Sequence, residues 1–212
     1  MASPPRLPRS FYQRPTLIVA RRLLGQRLVR LDRGRRLSGW IVEAEAYIGQ
    51  EDLACHARVG RTERNRVMWG EPGHAYVYFT YGMHWCLNVV TEGTGRPAAV
   101  LLRALAPAEG LGSMQRRRSI RLRRAPDPQT GLTDGPAKLC QALAIDRRFN
   151  GHDLCTPQSR LFVERGPVVS AAAVVRGPRV GLDRVPEPWK SKPWRFRLRP
   201  ETVRQWIKEE QR

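Results

Sequence analysis

The sequence predicts one mixed α/β (α+β) domain in which a central, mostly antiparallel, curved sheet is surrounded by helices. Three observations carry that expectation. Strand-like runs follow one another across residues 26–104 with mostly short, Gly-containing connections, the spacing of hairpins and not of strand–helix–strand crossovers. Helical periodicity is confined to segments outside that block, at 16–24, 109–119, 137–144 and 200–210. The 212 residues contain no Ser/Gly linker or shift of composition that would divide them. The helices must then cover the sheet instead of separating its strands.

Met1 to Arg9 is rich in Pro and Arg and reads as a flexible basic N-terminus ahead of a single domain over 10–212. Thr16 to Leu24 places Leu17, Ala20, Leu23 and Leu24 on one helical face, and Gly25 stops the helix. Gln26–Leu31 and Ser38–Glu45 alternate as the two arms of a hairpin, so that Glu45 ends the returning strand. Gln50–Arg66 is polar and reads as a loop with a short helix that carries His56 back toward that strand end. Ala75–Tyr81, Trp85–Thr91 and Ala98–Ala104 follow as three strands.

Beyond them, Glu109–Ser119 has helical propensity and ends in Arg116-Arg-Arg118, a run that suits a solvated face or phosphate contacts equally. Asp134-Gly-Pro136 caps an amphipathic helix running to Ala144, whose exposed first-turn amides could hold a phosphate. Arg160–Glu164, Ala172–Arg176 and Trp194–Leu198 read as later strands, and Pro200–Glu210 as a closing helix with Val203, Trp206 and Ile207 inward.

The formal net charge is +19, and 34 of the 38 basic residues are arginines because only Lys138, Lys190, Lys192 and Lys208 are lysines. Arginine forks onto phosphates and stacks on flat rings, so the expected partner is a nucleic acid. Arginine-rich codon usage would give the same bias without that meaning. Cys55, Cys86, Cys140 and Cys155 lack C-x-x-C spacing and read as buried free thiols. No apolar run approaches membrane-spanning length and no signal-peptide core follows Met1, which places the protein in the cytoplasm with no membrane partner. The histidines and cysteines show no metal-ligand spacing, and phosphate-loop and dinucleotide fingerprints are missing, so neither metal nor cofactor is expected.

Chemistry concentrates between Trp40 and Arg103. Glu43 and Glu45 share one side of a strand, and spacing does not choose between them as a working base; either could equally be a surface acid among arginines. Tyr76 and Tyr78 share a face of their strand, while Tyr81 adjoins Gly82 at a turn. Strand aromatics are usually packing, and His56 and His84 read equally as hydrogen-bonded structural histidines, but one tyrosine could line a pocket for a planar base while another wedges.

At these residues the sequence resembles the alkyladenine DNA glycosylase family, the mammalian type of 3-methyladenine DNA glycosylase, from Phe11 to Leu198. The resemblance rests on Leu23-Leu-Gly25, Val42-Glu-Ala-Glu-Ala-Tyr47, the His56–Arg66 loop, Tyr76-Val-Tyr78, Tyr81-Gly-Met83, Asn88, Leu101-Leu-Arg103, Gly135-Pro-Ala-Lys-Leu-Cys140 and Lys192-Pro193. It implies that Glu45 activates water, that Tyr47, His56 and Tyr78 wall a flipped-out base, and that Tyr81 is the wedge left in the duplex. It further implies that Asn88 screens out bases with an extra exocyclic amine, and that Arg103 contacts DNA or supports the base. The substrate would be double-stranded DNA containing alkylated or deaminated purines and the product an abasic site. Cutting the strand would need an amine to form a Schiff base with the sugar, and no lysine stands between Trp40 and Arg103, so the strand is expected to stay uncut; a monomer is expected. The family's fold is the mixed α/β domain expected above. Trp69 and Ala57-Arg-Val59 depart from the family pattern and bear on lesion range. A non-catalytic RNA- or DNA-binding protein and a metal-dependent nuclease are the rival readings.

Overall fold

The structure, a computed structural model, describes residues 4–119 and 131–210. A short helix α1 (Arg9–Tyr12) and α2 (Thr16–Leu23) lead into β1 (Arg27–Asp32) and β2 (Arg35–Ile48). After a long loop come β3 (Ala75–Thr80), β4 (His84–Val90) and β5 (Ala98–Glu109), then α3 (Leu111–Arg118) and α4 (Pro136–Leu143). The chain closes with β6 (Leu161–Glu164), β7 (Val174–Gly177), β8 (Arg195–Leu198) and α5 (Pro200–Glu210). The strands form one sheet in the order β3-β4-β5-β2-β1-β6, with β8 joined to β2 and β7 to β8, and every pairing is antiparallel. The expected fold class is the observed one.

β2 is longer than the sequence predicts, because the strand continues through Glu45 to Ile48. One of its edges is taken along its length by β5; the other is shared by β1 over residues 35–40 and β8 over 43–45. Register shifts between Ile41 and Ala44 mark the bend at which it changes neighbours. β5 likewise runs past Ala104 to Glu109.

The pleat divides each strand's side chains between two faces. Ala44 and Ala46 of β2, Val77 of β3, Leu87 and Val89 of β4, and Val100 and Leu102 of β5 enter the main core with Val19, Ala20 and Leu23 of α2 and Leu139 and Leu143 of α4. The alternate residues turn the other way, where Cys55, Ala57, Met68, Tyr76, Val90 and Ala99 make a smaller apolar cluster backed by Tyr47, Val67, Trp69 and Tyr78.

The flexible tail expected over Met1–Arg9 is replaced, from residue 4 onward, by a docked segment; Met1 to Ser3 lie outside the described residues. Leu7 is 2% exposed and its N–H donates to Val163 O at 2.8 Å, Arg6 lies 3.7 Å over the Phe162 ring, and Arg9 pairs with Asp153 at 2.6 Å. A single apolar side chain with a vacant strand edge beside it outweighs the Pro and Arg content. Among the described residues no helix is long and apolar enough to cross a membrane.

Candidate active site

The antiparallel register builds the site. Tyr76 of β3 faces Asn88 of β4, Asn88 faces Leu101 of β5, and Leu101 faces Glu45 of β2, so four strands contribute one row of side chains on the face away from the main core. The next row adds Tyr47 opposite Ala99. These residues floor a cavity of about 240 Å³ whose lining includes Tyr47, His56, Tyr78, Tyr81, Asn88 and Arg103, closed on one side by Val180, Gly181 and Leu182. Six of the seven residues singled out from the sequence therefore line one space. Glu45, the seventh, is fully buried just behind it, bonded to three groups that do line it.

Those three bonds define the carboxylate. Glu45 Oε1 accepts the Val180 N–H at 2.8 Å, and Oε2 accepts the Tyr47 hydroxyl at 3.0 Å and an Arg103 N–H at 3.3 Å. Burial pushes the Glu45 carboxyl above its ordinary pKa, while Arg103, the Val180 N–H and the Tyr47 hydroxyl pull it back. Glu43, on the same side of β2, is tied differently: its Oε1 accepts from Arg103 Nε at 2.9 Å and Arg195 Nε at 2.6 Å. Two arginines clamp Glu43 at the edge, and its role is to hold Arg103 against Glu45. Burial works against the Arg103 charge, but Glu45 and Glu43 outweigh it.

His56 starts a one-turn 3₁₀ helix, His56–Val59, capped by Cys55 Sγ. Asn65, buried in the loop, donates to the carbonyls of His56 (3.0 Å) and Gly60 (2.8 Å) and fixes where the imidazole stands. His56 Nδ1 is 2.9 Å from the Tyr76 hydroxyl, and its ring packs edge-on to Tyr78 at 4.5 Å. Burial, then Arg64 and Arg58, lower its pKa to about 4, so the imidazole is neutral near pH 7. Asn88, 4% exposed, donates from Nδ2 to Tyr76 O at 3.1 Å, which aligns its amide.

Tyr81 is the opposite case. It is 84% exposed at the tip of the β3–β4 hairpin, beside exposed Met83, and both Tyr81 (φ 51°) and Gly82 (φ 66°) are left-handed. Holding a tyrosine there costs about 1 kcal/mol that glycine would avoid. Val180 and the Asp52–Arg179 pair behind Tyr47 carry no signal in the sequence. Val180 acts through its backbone, 135 positions from Glu45, and a backbone donor leaves no residue-type signature. Asp52 and Arg179 are polar residues in loops, indistinguishable by composition from solvated ones.

No group of three or more His, Cys, Asp or Glu side chains among the described residues is arranged to hold a metal ion. The methylpurine-DNA glycosylase family model matches residues 10–202. A Methanocella arvoryzae protein named as a 3-methyladenine DNA glycosylase is 52% identical over 192 residues, 91% of this chain and 92% of that protein. A Myxococcus xanthus protein of the same name is 49% identical over 193 residues, 91% of this chain and 90% of the relative. The human DNA-3-methyladenine glycosylase is 47% identical over 201 residues, 92% of this chain and 66% of the human protein. By match length and identity alike, the chain belongs to the methylpurine-DNA glycosylase family, enzymes that hydrolyse N-glycosyl bonds in DNA.

Proposed function

We propose that the protein extrudes alkylated or deaminated purines from duplex DNA into the cavity and hydrolyses their N-glycosidic bond with a water activated by Glu45, leaving an abasic site. The observation that carries this reading is the buried carboxylate itself. An ionised carboxylate has about four acceptor positions. Among the described residues, Val180, Tyr47 and Arg103 occupy three of Glu45's, and the remaining one on Oε1 is where a water would sit. As the bond to the base stretches, positive charge grows on the sugar, and Glu45 is placed to stabilise it while taking the water's proton.

A base in a duplex hides that bond, so the nucleotide must leave the stack at a cost of a few kcal/mol, least for weakly paired damaged bases. The base would stack between Tyr47 and the His56–Tyr78 pair, with Asn88 excluding purines that carry an extra exocyclic amine. Tyr81 would fill the gap in the duplex. Arg103, held by both glutamates, would support Glu45 instead of reaching for phosphate. No lysine lines the cavity; Lys138 pairs with Asp134, and Lys192 lies over Trp189 and Trp194. Water, not an amine, is then the nucleophile, and the strand is left uncut.

The direct test is incubation of the protein with methylated duplex DNA in the presence of a chelator. Free 3-methyladenine and an uncut abasic strand are expected, with no protein–DNA adduct after borohydride. Chelator-sensitive strand cleavage would instead favour a metal-dependent nuclease, and binding without release a non-catalytic nucleic-acid protein.

Two further outcomes follow. Because Glu45 must be ionised and burial raises its pKa, the single-turnover rate is expected to fall on the acid side with a midpoint above that of an ordinary glutamate. A pH–rate profile flat down to that ordinary value would remove Glu45 from the role. Affinity for a lesion duplex should also fall steeply with salt, with a log–log slope of about −0.9 for each phosphate neutralised. Titration across salt concentrations measures it, and a slope near zero would contradict a role for the arginine-rich surface.

A further inference from the structure

Behind Tyr47 lies a buried ion pair that the proposed hydrolysis does not use. Arg179 and Asp52 have fully buried side chains and are joined by two hydrogen bonds of 2.5 and 2.8 Å. Arg179 also donates to the carbonyls of Ala46 (2.9 Å) and Trp189 (3.3 Å), and Asp52 accepts from the N–H groups of Ile48 (3.2 Å) and Ala54 (3.1 Å). The guanidinium sits over the Tyr47 ring at 4.6 Å, with the Trp194 ring at 5.0 Å. Tyr47 lines the cavity while Arg179 and Asp52 do not, so the cation covers the ring face turned away from it. Apolar residues of similar volume usually stabilise a fold at least as well as a buried ion pair. What the pair decides is whether a net charge stands behind the ring.

We propose that Asp52, by neutralising Arg179 behind Tyr47, sets the cavity's preference for cationic over neutral bases; this rests on the reading of Tyr47 as the ring on which the base stacks. A tyrosine face attracts cations through its quadrupole. A bare cation on the far face opposes that attraction. It would stand roughly 8 Å from a stacked base, the sum of the 4.6 Å above and about 3.5 Å of van der Waals spacing. At an effective dielectric of about 20, that repulsion amounts to at least about a factor of ten in binding. With Asp52 ionised the pair presents a dipole in place of a charge, and the front face stays open to cations. Arg179 is in addition a positioning residue, because its neighbour Val180 supplies the N–H bonded to Glu45.

The test measures single-turnover release of 3-methyladenine, a cation, and hypoxanthine, which is neutral, and takes the ratio of the two rates. Asp52→Asn is expected to lower the cation-to-neutral ratio at least about tenfold. Arg179→Met, which leaves the acid uncompensated, should move it the opposite way, and the double variant should return it to within about threefold of the native ratio. A purely structural role lowers both rates together in every variant, and an unchanged ratio overturns the proposal. A partly unfolded population cancels in a ratio. Where a single variant does not fold, the double variant decides: carrying neither charge, it must keep the native preference, and losing it overturns the proposal. Failure of the underlying reading looks different, because the native protein would then release neither base, or Tyr47→Ala would leave both affinities untouched.

Discussion

Glu45→Gln is expected to bind a lesion duplex about as tightly as the native protein while releasing the base at least about a hundredfold more slowly in a single turnover. Glutamine keeps the shape of the side chain and can still accept from the Val180 N–H, but it cannot take a proton from water or balance charge on the sugar. The neighbouring acid provides the control. Glu43→Gln loosens Arg103 and Arg195 without removing the carboxylate behind the cavity, so it should cost clearly less than Glu45→Gln. Measuring both rates with affinity alongside separates chemistry from binding. Undiminished release by the Glu45 variant would transfer the role to Glu43, and the two-residue spacing that left them equivalent on the strand would have been resolved the other way.

Tyr81→Ala is expected to damage extrusion in place of chemistry. The side chain is 84% exposed and touches little of the protein, so its removal should leave the melting temperature nearly unchanged. In the duplex it would leave an unfilled gap where a nucleotide had been stacked, and the cost falls on the extruded state alone. Release of hypoxanthine should therefore suffer more from a well-paired context than from a mismatched one, where less pairing has to be given up. Equal rates in both contexts would make Tyr81 a bystander. A left-handed tyrosine at the tip of a hairpin that Gly could occupy without strain is otherwise hard to explain by folding.

Much of this arrangement was legible in the residues. Alternation over residues 26–31 and the Gly-containing turns between the later runs located β1 to β5, and Pro136 at a first-turn position announced α4. The expected Thr133-Asp134 cap is not the one formed, because Gly135 is the N-cap and no side chain caps it, Asp134 pairing with Lys138 and Thr133 with the Leu105 carbonyl. The clustering of Tyr47, His56, Tyr78, Asn88 and Arg103 was foreseen through the family resemblance; spacing alone left Glu43 and Glu45 equivalent. What stayed hidden was long-range. Arg195 selects Glu43 as the clamped acid by pairing across β2–β8, 152 positions away. Val180 approaches Glu45 from a loop and acts through its backbone. Leu7, one apolar residue in a Pro- and Arg-rich stretch, had too little pattern around it to show that it docks.

The central position of β2 has a consequence for which parts of the site can open on their own. Glu45 lies where β2 has a hydrogen-bonded neighbour on each edge, so the amides around it can exchange with solvent only when the sheet itself comes apart. Val180 belongs instead to the connection between β7 and β8, held to the body through Arg179 and its bonds to Asp52 and the Ala46 carbonyl, and through the Ala46 N–H donating to the Trp194 carbonyl. The two partners of the Glu45–Val180 contact thus sit on differently supported parts of the fold, one inside the sheet and one in a connection. A sub-global opening of residues 178–194 would withdraw the Val180 N–H and the cavity wall together while leaving Glu45 seated, giving the molecule a reversible resting state that requires no unfolding of its core.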